Sequence, residues 1–382
     1  MADNHSLTAF VESGDAARIL IRHDVDNSNF TAKRTSAHSA IQASGATKRS
    51  AAMGKELLLG ITEKGVCHAK GEKEFDLETK FAMVRDSGVY DYFDKSPEAP
   101  ELVDDYLRLA EKYRLPIRAG GWFYTLGRDE ALLEANLRTG TRLGSRVHNT
   151  QILMRHADGH LVTDEEVADI YMRAFDIGET VGCIPTFEVH VNMWSEHYGR
   201  VSKVAKLVEA RGVPFRMTLD HSHVIFKIDN PKEQEVLDMR RDVESGLVVL
   251  DPYRAGNVCD EWIGKGYVWH CHARAAVPNN PKNIWGRHPD GRVGRGIQYP
   301  FIEPGPGEYH SDWDEAKLEP WKEVVRHLLA YHARDDASPL GQISTEFIPG
   351  PDYGMGNKYS IFEHSVACAR WIKETWRQTL KA

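Results

Sequence analysis

From Glu56 onward, apolar residues follow two alternating spacings. Short runs in which every position or every second position is apolar are followed by stretches where apolar residues recur three and four apart. The first spacing is that of a buried strand and the second that of one helix face. Residues 57–61, 89–93, 115–122, 147–154, 184–190, 213–220, 267–272 and 342–348 are predicted strands. Helices are predicted between them from Leu77, Phe81 and Val84; from Val103, Tyr106, Leu107 and Ala110; and over residues 129–138. Further helices follow from Val167, Ile170, Tyr171 and Ala174; from Val201, Val204, Ala205 and Val208; from Val236, Met239 and Val243; and from Leu318, Trp321, Val324, Val325 and Leu328. Thr163 with Glu166 reads as a capping box, Ser360 with Glu363 opens the closing helix, and Gly212 ends the fifth.

Eight strand–helix pairs in strict order imply a parallel sheet, because each parallel neighbour requires a crossover. Eight such pairs also close a barrel. An open doubly wound sheet would carry a GxGxxG turn after the first strand, and the sequence has none there. The predicted fold is therefore α/β, a (β/α)8 TIM barrel over residues 55–382 with a long insertion after strand seven. Residues 1–54 form an N-terminal extension: positions 27–55 contain no acid, carry Lys33, Arg34, Lys48 and Arg49, and are mostly Ser, Ala and Thr, the composition of a flexible arm. His23, Asp24 and Asp26 end a short apolar run there, too few to imply a metal site by themselves.

Composition narrows the partners. With 48 Lys+Arg against 56 Asp+Glu the formal charge is −8, unfavourable for a protein that must neutralise phosphates. No run approaches the ~20 apolar residues of a membrane span, and the first residues lack a signal-peptide pattern. Cys67, Cys183, Cys259, Cys271 and Cys368 are scattered without a CxxC pair, as in reduced cytoplasmic proteins. A cytoplasmic protein without membrane or nucleic-acid partners is expected.

The chemistry concentrates at the predicted strand ends, where a barrel carries its active site. Strand five ends in Glu188 and His190, strand six in Asp220 followed by His221 and His223, strand seven in His270 and His272, and strand eight in Glu346. Carboxylates converging on one mouth would repel each other and raise each other's pKa. A divalent cation removes that conflict, and an oxygen-rich set with one imidazole suits Mn2+, Mg2+ or Co2+. Trp122, Phe123, Tyr124, Trp194, Trp285 and Tyr353 are candidate rim aromatics, with Trp122 and Trp194 as stacking surfaces for a sugar ring. The insertion, about residues 277–315, carries Asn279, Trp285, Arg287, His288, Arg292 and Arg295 and reads as a lid or subunit contact. The 350–356 turn has no Lys or Arg before Lys358, so its composition does not support phosphate binding.

This pattern resembles the xylose-isomerase-like TIM barrels, a superfamily of sugar isomerases, epimerases, dehydratases and related lyases, over about residues 56–378. The family's metal ligands match Glu188, Asp220, His272 and Glu346. Its frequent His-x-His-x-Lys-Asp signature appears here as His270-Cys-His272-Ala-Arg274-Ala, with Arg in place of Lys and no following Asp. That signature favours His272 over His270 as the ligand, and the family's Asp-x-x-His pairing matches Asp220 and His223, the His touching substrate. The resemblance implies a divalent-metal-dependent enzyme, Mn2+ first, that enolises a keto- or aldo-sugar. Glu188 and Glu346 would be the acid/base pair and His190 and His223 would handle the second proton. His223, His270 and Arg274 join Trp122 and Trp194 as candidate substrate contacts. Such an enzyme would be a homo-oligomer acting on a small sugar or glycoside. Two other branches stay open, the first a close competitor and the second disfavoured by the −8 charge. One is a lyase of 3-oxo-glycosides, as in C-glycoside deglycosidases, which work with a small β-rich second subunit. The other is an endonuclease IV-like nuclease with three zinc ions, for which His68 and His148 are the available extra ligands. A non-catalytic scaffold would tolerate loss of Glu346.

Overall fold

The computed structural model describes residues 55–67, 74–96, 100–279 and 282–382. The expectations for residues 1–54, including His23, Asp24 and Asp26, and for His68 lie outside the described residues. Eight parallel strands close into a barrel: β1 (Leu58–Thr62), β2 (Tyr92–Asp94), β3 (Ile117–Tyr124), β4 (Val147–Ile152), β5 (Ile184–Glu188), β6 (Met217–Leu219), β7 (Val268–Ala273) and β10 (Gln342–Thr345). In the seam, Leu58 to Thr345 pair as Leu58 with Gln342 through Ile61 with Thr345. Two further strands, β8 (Asn283–Arg287) and β9 (Val293–Gly294), form an antiparallel hairpin inside the insertion.

The helices surround this barrel: α1 (Leu77–Asp86), α2 (Val103–Tyr113), α3 (Glu130–Leu143), α4 (Asp164–Val181), α5 (Tyr198–Ala210), α6 (Ser222–Ile225), α7 (Pro231–Gln234), α8 (Met239–Glu244), α9 (Val258–Gly264), α10 (Glu319–Arg334) and α11 (Ile361–Thr379). Their starts are chemically marked. Thr163 and Glu166 exchange both bonds of the capping box at α4, and the Ser360 side chain accepts the Glu363 N–H at α11. Beyond α5 the chain turns at Gly212, whose φ of +86° suits a residue without Cβ. Each long helix lays its three-and-four-spaced apolar residues on the sheet; α10, for example, buries Trp321, Val324, Val325, Leu328 and Leu329. Among the described residues no helix is long and apolar enough to cross a membrane.

One predicted helix is not formed as a unit. After β6 the chain breaks into α6, α7, a single 3-10 turn and α8; Asp229 is left-handed between α6 and α7, and Leu237 and Asp238, with φ of 55° and 59°, interrupt the chain before α8. The outer-layer position is filled by α9 instead, which buries Val258, Cys259, Trp262 and Ile263 behind an Asn257 side-chain cap. β5 and β6 are also shorter than their apolar runs, so His190 and Asp220 stand on loops just beyond the sheet.

Candidate functional site

Four neighbouring strands deliver the candidate residues to one end of the barrel. Glu188 is the last residue of β5 and is buried. Asn149 and Gln151, two apart on β4, donate amide N–H bonds to its Oε2, the first at 2.6 Å. Its Oε1 lies 2.9 Å from His272 Nδ1, and Glu346 Oε2 lies 3.1 Å from the same nitrogen. Ligand atoms of Glu188, His272 and Glu346 all fall within 4.8 Å of one another.

Asp220 joins this group through a cation. Ser222 donates its N–H and its hydroxyl to Asp220 Oδ1 at 3.0 and 2.5 Å, while Oδ2 lies 2.9 Å from Arg274 Nη1 and 3.2 Å from His223 Nε2. Arg274 is fully buried; its Nε donates to the Glu346 carbonyl at 2.8 Å, its Nη2 donates to the Glu346 carboxylate, and its guanidinium sits 4.2 Å over the Tyr353 ring. The residue that replaces the familiar Lys therefore bridges two of the expected metal ligands. The sequence reading missed Asp94, at the end of β2. It is buried, accepts from Ser344 Oγ at 2.6 Å, and presents Oδ2 3.4 Å from His272 Nε2. The available signal was an acid at a strand end.

Charge decides what this arrangement can hold. Asp94, Glu188, Asp220 and Glu346 bring four carboxylates to one side of Arg274 and His272. Burial works to raise the Glu188 carboxyl, but His272 and then His190 hold it down at about 2. Burial opposes ionisation of Asp220 as well, and Arg274 and His223 keep it well below the carboxylate range. Burial would depress His272, whereas Glu346 and Glu188 raise it well above an ordinary imidazole. Even with His272 protonated, two negative charges remain uncompensated within this set. Asp220 Oδ2 and His272 Nε2 are buried, and their close neighbours are the charged or ionisable groups of Arg274, His223 and Asp94. Two carboxylates and an imidazole in contact, an adjacent carboxylate and an excess of buried negative charge fit a divalent cation.

The other predicted residues divide. His190 and His223 reach the site, with ring centroids 4.2 Å apart. His190 Nδ1 lies 2.6 Å from the Val191 carbonyl, which requires its proton there, and Nε2 lies 3.3 Å from the Tyr353 hydroxyl. His223 is buried, and that burial lowers its pKa to about 3 against the pull of Asp220. His270 lies below His272 in the barrel, its nitrogens 3.3 Å from Thr218 Oγ1 and 3.0 Å from Ser344 Oγ. Trp122 stacks on Phe123 at 5.0 Å and is partly exposed, whereas Trp194 is packed in the core. Tyr124 points inward to His148, 2.7 Å from Nε2. The insertion is fastened beside the mouth. Asn283 donates to the carbonyls of Tyr353 and Met355, His288 Nε2 lies 2.8 Å from Asp352 Oδ1, and the Arg295 N–H donates to the same oxygen.

No protein-family model and no curated protein matches the sequence. Solved structures share the fold, two of them as follows. A structure of the IolI protein with a bound zinc atom superposes with a TM-score of 0.50 at 14% identity, covering 85% of this chain and 100% of that one. A structure of L-ribulose 3-epimerase gives a TM-score of 0.50 at 11% identity, covering 85% and 96%. Likeness at this identity is likeness of fold: the chain has a (β/α)8 barrel, as those two structures do.

Proposed function

We propose that this protein is a divalent-metal-dependent enzyme that enolises a keto- or aldo-sugar, of the isomerase or epimerase type. The observation that carries this reading is the convergence of Glu188, His272 and Glu346 within 4.8 Å at the barrel mouth. Asp220 stands beside them, and the surrounding buried charge is short of cations. The shared fold with an L-ribulose 3-epimerase and with a zinc-bound IolI supports it. Glu188, Asp220, His272 and Glu346 would hold the ion, with Mn2+ the first candidate and Mg2+ or Co2+ the alternatives. Bound there, a divalent ion supplies a Lewis acid that polarises a carbonyl and acidifies the adjacent C–H.

The chain's own groups move the protons. Glu346 has the more exposed side chain, 14% against 0% for Glu188, and would take the proton from the carbon beside the carbonyl. Glu188, fixed by two amide donors, would return a proton. Arg274 keeps Asp220 ionised and pairs with Glu346, while His190 and His223 would serve a substrate oxygen. We assign the substrate to small sugars or glycosides and the protein to the cytoplasm as a homo-oligomer. A second reading, elimination from a 3-oxo-glycoside, rests on the His190–Tyr353 pair, a proton-handling couple separate from the carboxylates and suited to protonating a leaving group. A small β-rich second subunit would accompany that activity.

Elemental analysis of purified protein loaded with Mn2+, beside Glu346→Gln, tests the proposal. The expected result is one equivalent of ion in the native chain, weakened in the variant, with solvent deuterium entering a bound keto-sugar only in the native chain. Interconversion of two sugars would select epimerisation or isomerisation, and release of an aglycone would select the lyase. Absence of bound ion after loading, or full function in Glu346→Gln, would overturn the metal-dependent enolisation reading.

A further inference from the structure

Outside the barrel mouth, residues 154–162 between β4 and α4 fold into a tight hairpin. The Val162 N–H donates to the Met154 carbonyl at 3.0 Å, the His156 N–H to the His160 carbonyl at 3.0 Å, and the Gly159 N–H to the His156 carbonyl at 2.9 Å. Gly159 has φ +98°, the left-handed turn that closes it. The turn stacks the rings of His156 and His160 with centroids 4.7 Å apart, and Asp158 reaches the Nδ1 of both. Asp158 Oδ1 lies 3.2 Å from His156 Nδ1 and 2.5 Å from His160 Nδ1, and ligand atoms of the three residues fall within 4.8 Å of each other.

The hydrogen bonds around the cluster fix which atoms face inward. His160 Nε2 lies 3.0 Å from Glu166 Oε1, and Glu166 is held by the capping box of α4. His160 Nδ1 faces Asp158 Oδ1 at 2.5 Å, and the proton shared at that contact is the one a cation would displace. The Asp158 N–H donates to His156 Nδ1 at 3.3 Å, so that nitrogen is an acceptor. Three donor atoms thus meet, and a cation would take the place of the proton at His160 Nδ1 and of the Asp158 N–H at His156 Nδ1. A carboxylate behind a ligating imidazole, as Glu166 is here, is the usual support of a metal-binding His.

We propose that His156, Asp158 and His160 form a surface site for a divalent transition-metal ion of the Zn2+ class, distinct from the barrel mouth, with water completing the shell. Two imidazoles and one carboxylate suit Zn2+ rather than Mg2+ or Ca2+. With bonds of about 2.0–2.1 Å, tetrahedral donors stand roughly 3.3 Å apart. The His156–Asp158 pair already meets that spacing, and His160 needs to swing outward by less than an ångström. The Asp158 and His160 side chains are 64% and 42% exposed, so the swing meets little packing. The hairpin is tied to the mouth: the Met154 N–H donates to the Asn192 carbonyl, Leu153 bridges Met193, and the His156 ring lies against Gly127. An ion here would brace the loops after β3, β4 and β5.

Zn2+ titration of the full chain by calorimetry, with ion content after gel filtration, tests the site. The experiment uses the native protein, the H156A/H160A double variant, Asp158→Asn and His272→Ala. The native chain is expected to bind one Zn2+ equivalent that H156A/H160A lacks and His272→Ala retains. Asp158→Asn, which keeps the size and turn chemistry of the loop, is expected to weaken that equivalent at least tenfold, as is lowering the pH from 7.5 to 5.5. Equal stoichiometry in the native chain and H156A/H160A, or loss of every equivalent in His272→Ala, would overturn the proposal. Unchanged thermal unfolding of the loop variants without metal excludes misfolding as the cause.

Discussion

At the residue scale, His272 is held from both sides. Its Nδ1 meets Glu188 and Glu346, and its Nε2 points at Asp94. A carboxylate opposite the ligating nitrogen fixes the tautomer and raises ligand basicity, and its loss typically weakens metal binding roughly 10- to 100-fold. Asp94→Asn is therefore expected to keep the fold and lose about that much Mn2+ affinity by calorimetry; unchanged affinity would show that Asp94 only fills space. Arg274 gives the complementary prediction. Arg274→Met leaves Asp220 and Glu346 without their counter-ion, a change of about 3–5 kcal/mol for a broken buried pair. The variant's melting temperature should fall without metal and recover with Mn2+ by more than the native protein's rises. These roles were unevenly legible in the sequence. Glu188, Asp220, His272 and Glu346 stand at strand ends where core packing gives no reason for a charge. Asp94 escaped because the apolar run ends at Phe93, one residue short of the real strand end. His270 and His272 share a parity, and alternation alone gives the face of a side chain, not its depth along the barrel.

At the element scale, the insertion is a clasp made of specific polar contacts. Asn283 of β8 donates to the carbonyls of Tyr353 and Met355 and accepts the Gly286 N–H, while Arg295 beyond β9 meets Glu196 and Glu233. This fastens the hairpin to the 350–356 turn that carries Tyr353 and to the loops after β5 and β6. Asn283→Ala leaves buried carbonyls without donors, about 1–3 kcal/mol for each group left unpaired. Limited proteolysis should then cut within 283–295 much faster while the barrel stays intact, and an unchanged cleavage rate would count against the clasp. The sequence showed the insertion's place but not its grip, since contacts between residues some 70 positions apart leave no local periodicity. The broken sixth helix has the same origin. Val236, Met239 and Val243 keep helical spacing, yet Leu237 and Asp238 turn left-handed, and α9 takes over the packing.

At the scale of the whole molecule, the hydrophobic layers between strands and helices supply a stable frame, and much of the buried charge gathers at and just beyond the strands' C-terminal ends. One such network lies beside the mouth: Glu196 meets Lys227 at 2.9 Å and Arg295 at 2.5 Å, with Glu233 on the far side of Arg295. Burial would raise the Glu196 carboxyl, yet Lys227 and Arg295 hold it at about 2, below its ordinary value of 4.5. A carboxylate depressed in the folded state binds its proton more readily when unfolded. Its contribution is therefore present above pH 4.5 and is lost as pH falls toward 2. The shift corresponds to about 3 kcal/mol. Urea unfolding of metal-free protein should show stability falling across this window, with a shallower fall in Glu196→Gln, which is already weaker at pH 7. An equal slope in both proteins would place the acid sensitivity elsewhere. The site end of the barrel would then owe its acid response to the carboxylates of the mouth, and added Mn2+ would shift the transition to lower pH in both proteins.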